Sequence, residues 1–177
     1  MIAKNKELKS KLLYDESHSK RYLLNIEWEP QGKKATVIML SPSTTTGIFF
    51  DRTTNCVLEN LCKLNYGSVD IVNLYAELDL KSYNLNSDSE NLKVIKKSID
   101  KADTIVYAVG TGHRTCKAIV NREKEILELI SKYSSKCSCI SDSQGKLFYH
   151  PLCPKVKEWK LTELPFDMIL KELSNND

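Results

Sequence analysis

The chain has 177 residues, 41% hydrophobic and 28% charged, with a formal net charge of +3; this is an ordinary globular composition, long enough for one core and short for two. No run approaches the roughly 18 apolar residues that a membrane span requires, and the lysine-rich start (Lys4, Lys6, Lys9, Lys11) has no apolar stretch behind it to form a secretory signal. These features exclude a membrane protein and predict a cytoplasmic one, while an isoelectric point near 8.4 permits a polyanionic partner without demanding it.

In chain order, residues 1–19 are polar apart from Leu12, Leu13 and Tyr14, and read as a loose arm or a short edge element. Tyr22, Leu24, Ile26 and Trp28 then alternate with Arg21, Leu23, Asn25 and Glu27, the pattern of a strand buried mainly on one face. Pro30-Gln31-Gly32-Lys33 supplies a turn into the apolar run 35–40, so these two strands are expected to form an antiparallel hairpin. That second run stops at Ser41-Pro42 and opens into Ser43-Thr44-Thr45-Thr46-Gly47-Ile48-Phe49-Phe50-Asp51. Small hydroxyl residues, a glycine, two aromatics and a carboxylate after a strand make a loop able to hold a planar ligand.

Residues 53–64 place Val57, Leu58, Leu61, Cys62 and Leu64 at helical spacing, with Asn65-Tyr66-Gly67 as the stop. The strand 69–73 follows and ends in Asn73, completing a strand-helix-strand unit that should cross over right-handed. Residues 77–89 read as an exposed loop, 91–102 as a helix with Leu92, Ile95 and Ile99 inward, and 104–109 as a strand ending in Gly110. A helix over 115–133, a short strand 137–140, the loop His150-Pro151-Leu152 and a helix over 165–173 complete the chain. Serial βα units predict one domain over residues 1–177, an α/β fold with a three-layer α/β/α sandwich around a mostly parallel sheet. The carboxyl ends of parallel strands share one edge, so the 41–51 loop, Asn73, Gly110 and His150 should converge there.

Six cysteines do not make a metal site: only Cys137-Ser138-Cys139 is a close pair, without the spacing of a zinc site. Each candidate also has a plainer role. Asn73 suits a turn, His150 a surface loop, Phe49 and Phe50 the core, and Asp51 a helix cap; Lys155, Lys157 and Lys160 suit a solvated face. Their joint order carries the functional reading.

That order resembles a bacterial and phage family of unknown function whose pattern is a strand, Asn-Pro-Ser-Thr, an acidic-Thr pair, a strand ending in Asn-Leu, a strand ending in Trp-Gly and a terminal His-Pro-Leu. The corresponding residues are Ser41-Pro42-Ser43-Thr44, Asp51 with Thr53, Asn73-Leu74, Val109-Gly110 and His150-Pro151-Leu152, across roughly residues 20–155. In motif order this family is similar to the uracil-DNA glycosylase superfamily. The resemblance implies hydrolytic removal of uracil from single- or double-stranded DNA by a monomeric, cofactor-free enzyme. It places Ser41 and Pro42 in the water-activating loop with Ser43 beside them, Phe49 or Phe50 on the face of the base, Asn73 at its edge and His150 at a uracil carbonyl oxygen. Leu152 falls near the minor-groove wedge, and Lys155 and Lys157 contact DNA.

Ser41 departs from the Asp or Asn that precedes the proline in those enzymes, and Val109 replaces the tryptophan. A neutral serine can position water but cannot act as a carboxylate base. Either Asp51 supplies the charge, or activity is slow or absent. The alternatives are a non-catalytic nucleic-acid or uracil-binding module on the same fold, and a nucleoside or nucleotide hydrolase.

Overall fold

The computed structural model describes residues 7–43, 47–78, 88–112, 116–148, 150–154, 156 and 158–174. Their elements run β1 (Lys9–Tyr14), β2 (Arg21–Glu27), β3 (Lys33–Met39), α1 (Arg52–Lys63), β4 (Tyr66–Asn73), α2 (Ser89–Asp100), β5 (Thr104–Tyr107), α3 (Lys117–Ser131), β6 (Cys137–Ser141), β7 (Leu147–Phe148), β8 (Lys160–Glu163) and α4 (Phe166–Ser174). The strands form one sheet ordered β1-β2-β4-β3-β5-β6-β7, with β8 also on β6. Among the described residues no helix is long and apolar enough to cross a membrane.

The fold is mixed α/β, and two expectations need correction. The sheet is not mostly parallel: β4-β3-β5-β6 run parallel, but β1-β2, β2-β4, β6-β7 and β6-β8 are antiparallel. Nor do β2 and β3 form a hairpin. Strand β4 lies between them, with Leu24 opposite Ile71 on one side and Val37 beside Ile71 on the other. Strand β2 is internal, with β1 at its edge, and Arg21 at its start, a polar position of the alternation, is 1% exposed with its guanidinium against the Ser43 carbonyl.

Alternation along the central strands divides the core between the two faces. Val37, Val69, Ile71 and Val106 pack with Val57 and Leu61 of α1 and with Trp159; Ile38, Val72, Ile105 and Tyr107 pack with residues of α2, α3 and α4. Strand β3 leads through α1 to β4 on one side, and β4 leads through α2 to β5 on the other. The switch in direction therefore falls between β3 and β5, where open α/β sheets present a crevice at the strand carboxyl ends.

At the opposite end of β3, backbone approaches backbone. Gly67 accepts from the N–H groups of Trp28 and Glu29 at 2.9 Å, and a Cβ on Gly67 would sit 2.1 Å from the Glu29 carbonyl oxygen and 2.7 Å from Gly32 Cα. Neither atom belongs to a movable side chain. Gly67→Ala should lower unfolding free energy by about 1–3 kcal/mol in urea titration; wild-type stability would show that this contact is not tight.

Candidate functional site

A cavity of about 880 Å³ opens at the switch point. One wall is the end of β3 and its loop, from Met39 to Ser43; the facing wall is Val109-Gly110-Thr111-Gly112 after β5. Asp51 and Thr53 approach from the start of α1, Cys116 and Ile119 from the start of α3, and His150, Leu152 and Cys153 from the late loop. The volume is in the range of small-molecule sites.

Asp51 occupies the N-cap of α1. Its Oδ1 accepts from the Thr53 and Thr54 N–H groups at 2.7 and 3.0 Å, and its Oδ2 accepts from Thr54 Oγ1 at 2.9 Å and from the Ser43 hydroxyl. Burial alone would push this carboxyl up, but the Ser43 hydroxyl and the bonds from Thr54 and Thr53 outweigh it and hold the pKa below the ordinary value of 3.8. Asp51 is thus both a helix cap and an anionic edge of the cavity. Its acceptor sites are occupied by protein donors.

Behind the same loop Arg21 donates from its Nη1 to the Ser43 carbonyl oxygen at 2.9 Å. Burial presses its pKa down, and the nearby Tyr14 and Asp51 act in the opposite direction. Its Nε and other terminal nitrogen have no partner. The loop is therefore held from within by a buried guanidinium and from its far end by a capping carboxylate. Strand alternation gave no sign of Arg21's place, although it held for Leu24 and Ile26, which are fully buried.

His150 faces the glycine segment across the cavity. Gly110 has φ +86°, and a Cβ there would lie 3.4 Å from His150 Cδ2. The Leu152 N–H donates to His150 Nδ1 at 3.1 Å, which leaves the proton of a neutral ring on Nε2. Part of the residue reaches solvent, yet burial of the rest pulls the imidazole below its ordinary 6.5. At neutral pH the group is an uncharged donor.

Of the residues anticipated from sequence, Ser41, Pro42, Ser43, Asp51, His150 and Leu152 share the cavity wall. Asn73, Phe49 and Phe50 do not line it. Asn73 is 1% exposed at the end of β4, beside Met39, and both polar atoms of its carboxamide lack partners. Phe50 packs against the core cluster that includes α1, whereas Phe49 is 79% exposed. Lys155 and Lys157 lie outside the described residues. Cys116 and Cys153 line the cavity without having been singled out; both thiols are free, and no spacing signal marked them.

The family of proteins of unknown function DUF1643 matches residues 21–152, and the chain belongs to it. No curated protein and no solved structure matches.

Asp51→Ala should cost about 0.5–2 kcal/mol at pH 7, the ordinary loss for an N-cap. A depressed native pKa contributes stability that is present above the unfolded value near 3.8 and lost as pH falls through the native value. The difference from wild type should therefore shrink between urea titrations at pH 7 and pH 3; a gap that widens on acidification would contradict the capping charge.

Gly110→Ala should cost about 1–2 kcal/mol through its left-handed backbone and, by displacing His150 toward solvent, raise the ring's pKa in an NMR titration. Gly112, where an added Cβ would meet no atom within 4 Å, provides the comparison: Gly112→Ala should leave the His150 titration unchanged. Equal titrations for both variants would separate Gly110 from His150.

Proposed function

We propose that this member of the DUF1643 family is a uracil-DNA glycosylase-type hydrolase. The supporting observation is that Ser41-Pro42-Ser43, Asp51 and His150, far apart in sequence, line one cavity at the switch point between β3 and β5. On this reading, the parallel core with helices on both faces is the three-layer α/β/α scaffold of those enzymes, extended by antiparallel flanks.

The reaction breaks the C1′–N1 bond, whose electrons leave with uracil, while water adds at C1′ and its proton ends on the base through solvent. Charge develops positively on the sugar and negatively on the uracil oxygens, so catalysis needs an anion on one side and a donor on the other. Asp51 provides a fixed negative charge at the sugar side; with its acceptor sites filled, it acts through its field, and Ser41 positions the water. The Nε2–H of His150 donates to the carbonyl oxygen. Because the ring is already neutral, this role operates without proton transfer from an imidazolium.

Asn73 reads the base by accepting from uracil N3–H and donating to O4, a pattern that cytosine reverses. Its unpartnered carboxamide supports this assignment, and because Asn73 is buried beside Met39 the assignment requires the end of β4 to become accessible when the base enters. The partner is uracil-containing DNA held outside the cavity with one nucleotide extruded.

A second reading has its own observation. Ser41 is neutral and Asp51 is committed to its cap, which favours a binding module that keeps the pocket without the chemistry. Alkali-revealed cleavage of a single-uracil oligonucleotide, single- and double-stranded, separates the two. Wild type should cleave, His150→Ala should be slower by about a hundredfold, and Asn73→Ala should lose discrimination against cytosine. DNA binding without cleavage at high protein concentration would leave the module; affinity insensitive to salt would remove DNA as the partner.

A further inference from the structure

Between β7 and β8 the described residues form no helix or strand, yet this stretch brings His150, Leu152 and Cys153 to the cavity. Its described backbone hydrogen bonds are turns within itself: the Cys153 N–H donates to the His150 carbonyl at 3.1 Å, and the Val156 N–H to the Cys153 carbonyl at 3.0 Å. Such turns shape the loop without fixing where it sits. Among the described residues its polar ties to the rest of the fold run to α1, whose Thr53, Cys56, Asn60 and Lys63 recur at helical spacing. Thr53 lines the cavity, Cys56 donates its thiol to the Pro151 carbonyl at 3.3 Å, and Asn60 Oδ1 accepts from the Trp159 N–H at 2.9 Å. Lys63 reaches Glu158 only at 4.0 Å and in solvent, a weak contact.

Buried Asn60 and Trp159 thus hold the far end of the stretch, and Cys56 holds the end next to His150. Asn60 Nδ2 donates to the Cys56 carbonyl at 2.9 Å and to its Sγ at 3.6 Å, so the sulfur accepts from one side and donates to the other. Burial pushes the thiol's pKa up, and the group keeps its proton at neutral pH. The Pro151 carbonyl that receives it lies one residue from the imidazole. Asp51 caps the start of the same helix. One rigid element therefore carries the anion of the cavity at its end and the loop of the neutral donor along its side. A half-buried cysteine can also be a small apolar filler, but a filler is replaced by alanine or valine, whereas a donor to a carbonyl is replaced by serine.

We propose that Cys56 is the positioning residue for His150: its thiol, bonded to the Pro151 carbonyl, fixes the imidazole relative to Asp51 across the cavity. Without the thiol the loop keeps its tie at Trp159, and the ring turns toward solvent. This deepens the glycosylase reading, on which its effect on catalysis rests: the donor at the uracil oxygen is set against the negative charge at the sugar. The placement of the ring itself does not rest on that reading.

The test follows the ring. Full-length protein carrying isotope-labelled histidine is titrated by NMR under reducing conditions, with His150 assigned by the signal lost in His150→Gln. Wild type should titrate below the ordinary 6.5. Cys56→Ala, and Cys56→Val, which fills the space without a donor, should raise the His150 pKa toward that value with circular dichroism unchanged. Cys56→Ser, which restores a donor, should titrate like wild type. In uracil cleavage Cys56→Ala and Cys56→Val should lose about tenfold in kcat with KM kept, and Cys56→Ser should retain activity. A wild-type titration in Cys56→Ala and Cys56→Val, or a shift shared by Cys56→Ser, overturns the proposal even if uracil is excised. The expected titrations in a protein that cleaves no uracil support the positioning role and sink the glycosylase reading.

Discussion

The carboxylate of Asp51 is the constraint on which the site depends. It closes the first turn of α1 through the Thr53 and Thr54 N–H groups and draws Ser43 in from the end of the β3 loop. The loop thus begins at a strand end and returns to the same carboxylate before the helix starts. Releasing Asp51 would free both the cap and the cavity wall. The same bonding limits its chemistry, because a carboxylate whose lone pairs are engaged is a weak proton acceptor and a strong fixed charge. Whatever enters the cavity meets an anion that the fold has already stabilised as an anion.

Much of the central fold was legible because its signals are local. The runs 35–40, 69–73, 104–109 and 137–140 are apolar as strands covered on both faces must be, and the amphipathic spacing around Val57, Ile95 and Ile126 marks the helices between them. The flanks were not legible for a reason of topology. Neighbours in sequence are neighbours in space only as a tendency, and nothing in residues 21–40 reveals that β4, formed later, inserts between β2 and β3. Strand β8 was missed because Lys160-Leu161-Thr162-Glu163 is short and charged at both ends; only its pairing with β6 makes it a strand.

The site divides along the same line. Loop residues at strand ends were placeable because parallel strands must deliver them to one edge, and Ser41, Pro42, Ser43, Asp51 and His150 arrive there together. Side-chain direction was not placeable. Asn73 and the two phenylalanines sit at the correct edge but are turned by sheet parity and loop geometry: Asn73 into the strand junction beside Met39, Phe50 into the core and Phe49 outward. Arg21 shows the converse failure, since alternation placed Leu24 and Ile26 inward but could not show that the loop after β3 packs on the guanidinium.

The distribution of unsatisfied polar groups bears on what this edge is for. Among the described residues Arg21, Asn73, Asn91 and Trp159 bury side-chain polar atoms without partners. Three of these converge at the end of β4. Asn91 Nδ2 donates to the Asn73 and Leu74 carbonyls at 3.1 Å, and the Arg21 backbone N–H donates to the Ala76 carbonyl at 2.7 Å. Trp159 Nε1 lies apart from these, and other buried polar atoms are paired, as where Thr36 Oγ1 donates to the Ser98 carbonyl deep in the sheet. A buried polar group left without any partner costs about 1–3 kcal/mol, which an apolar side chain of similar shape avoids. A region that only packed would therefore favour leucine over asparagine at position 73. Asn73 lies beside Met39, which lines the cavity, and on the glycosylase reading the edge of a base supplies both a donor and an acceptor to Asn73.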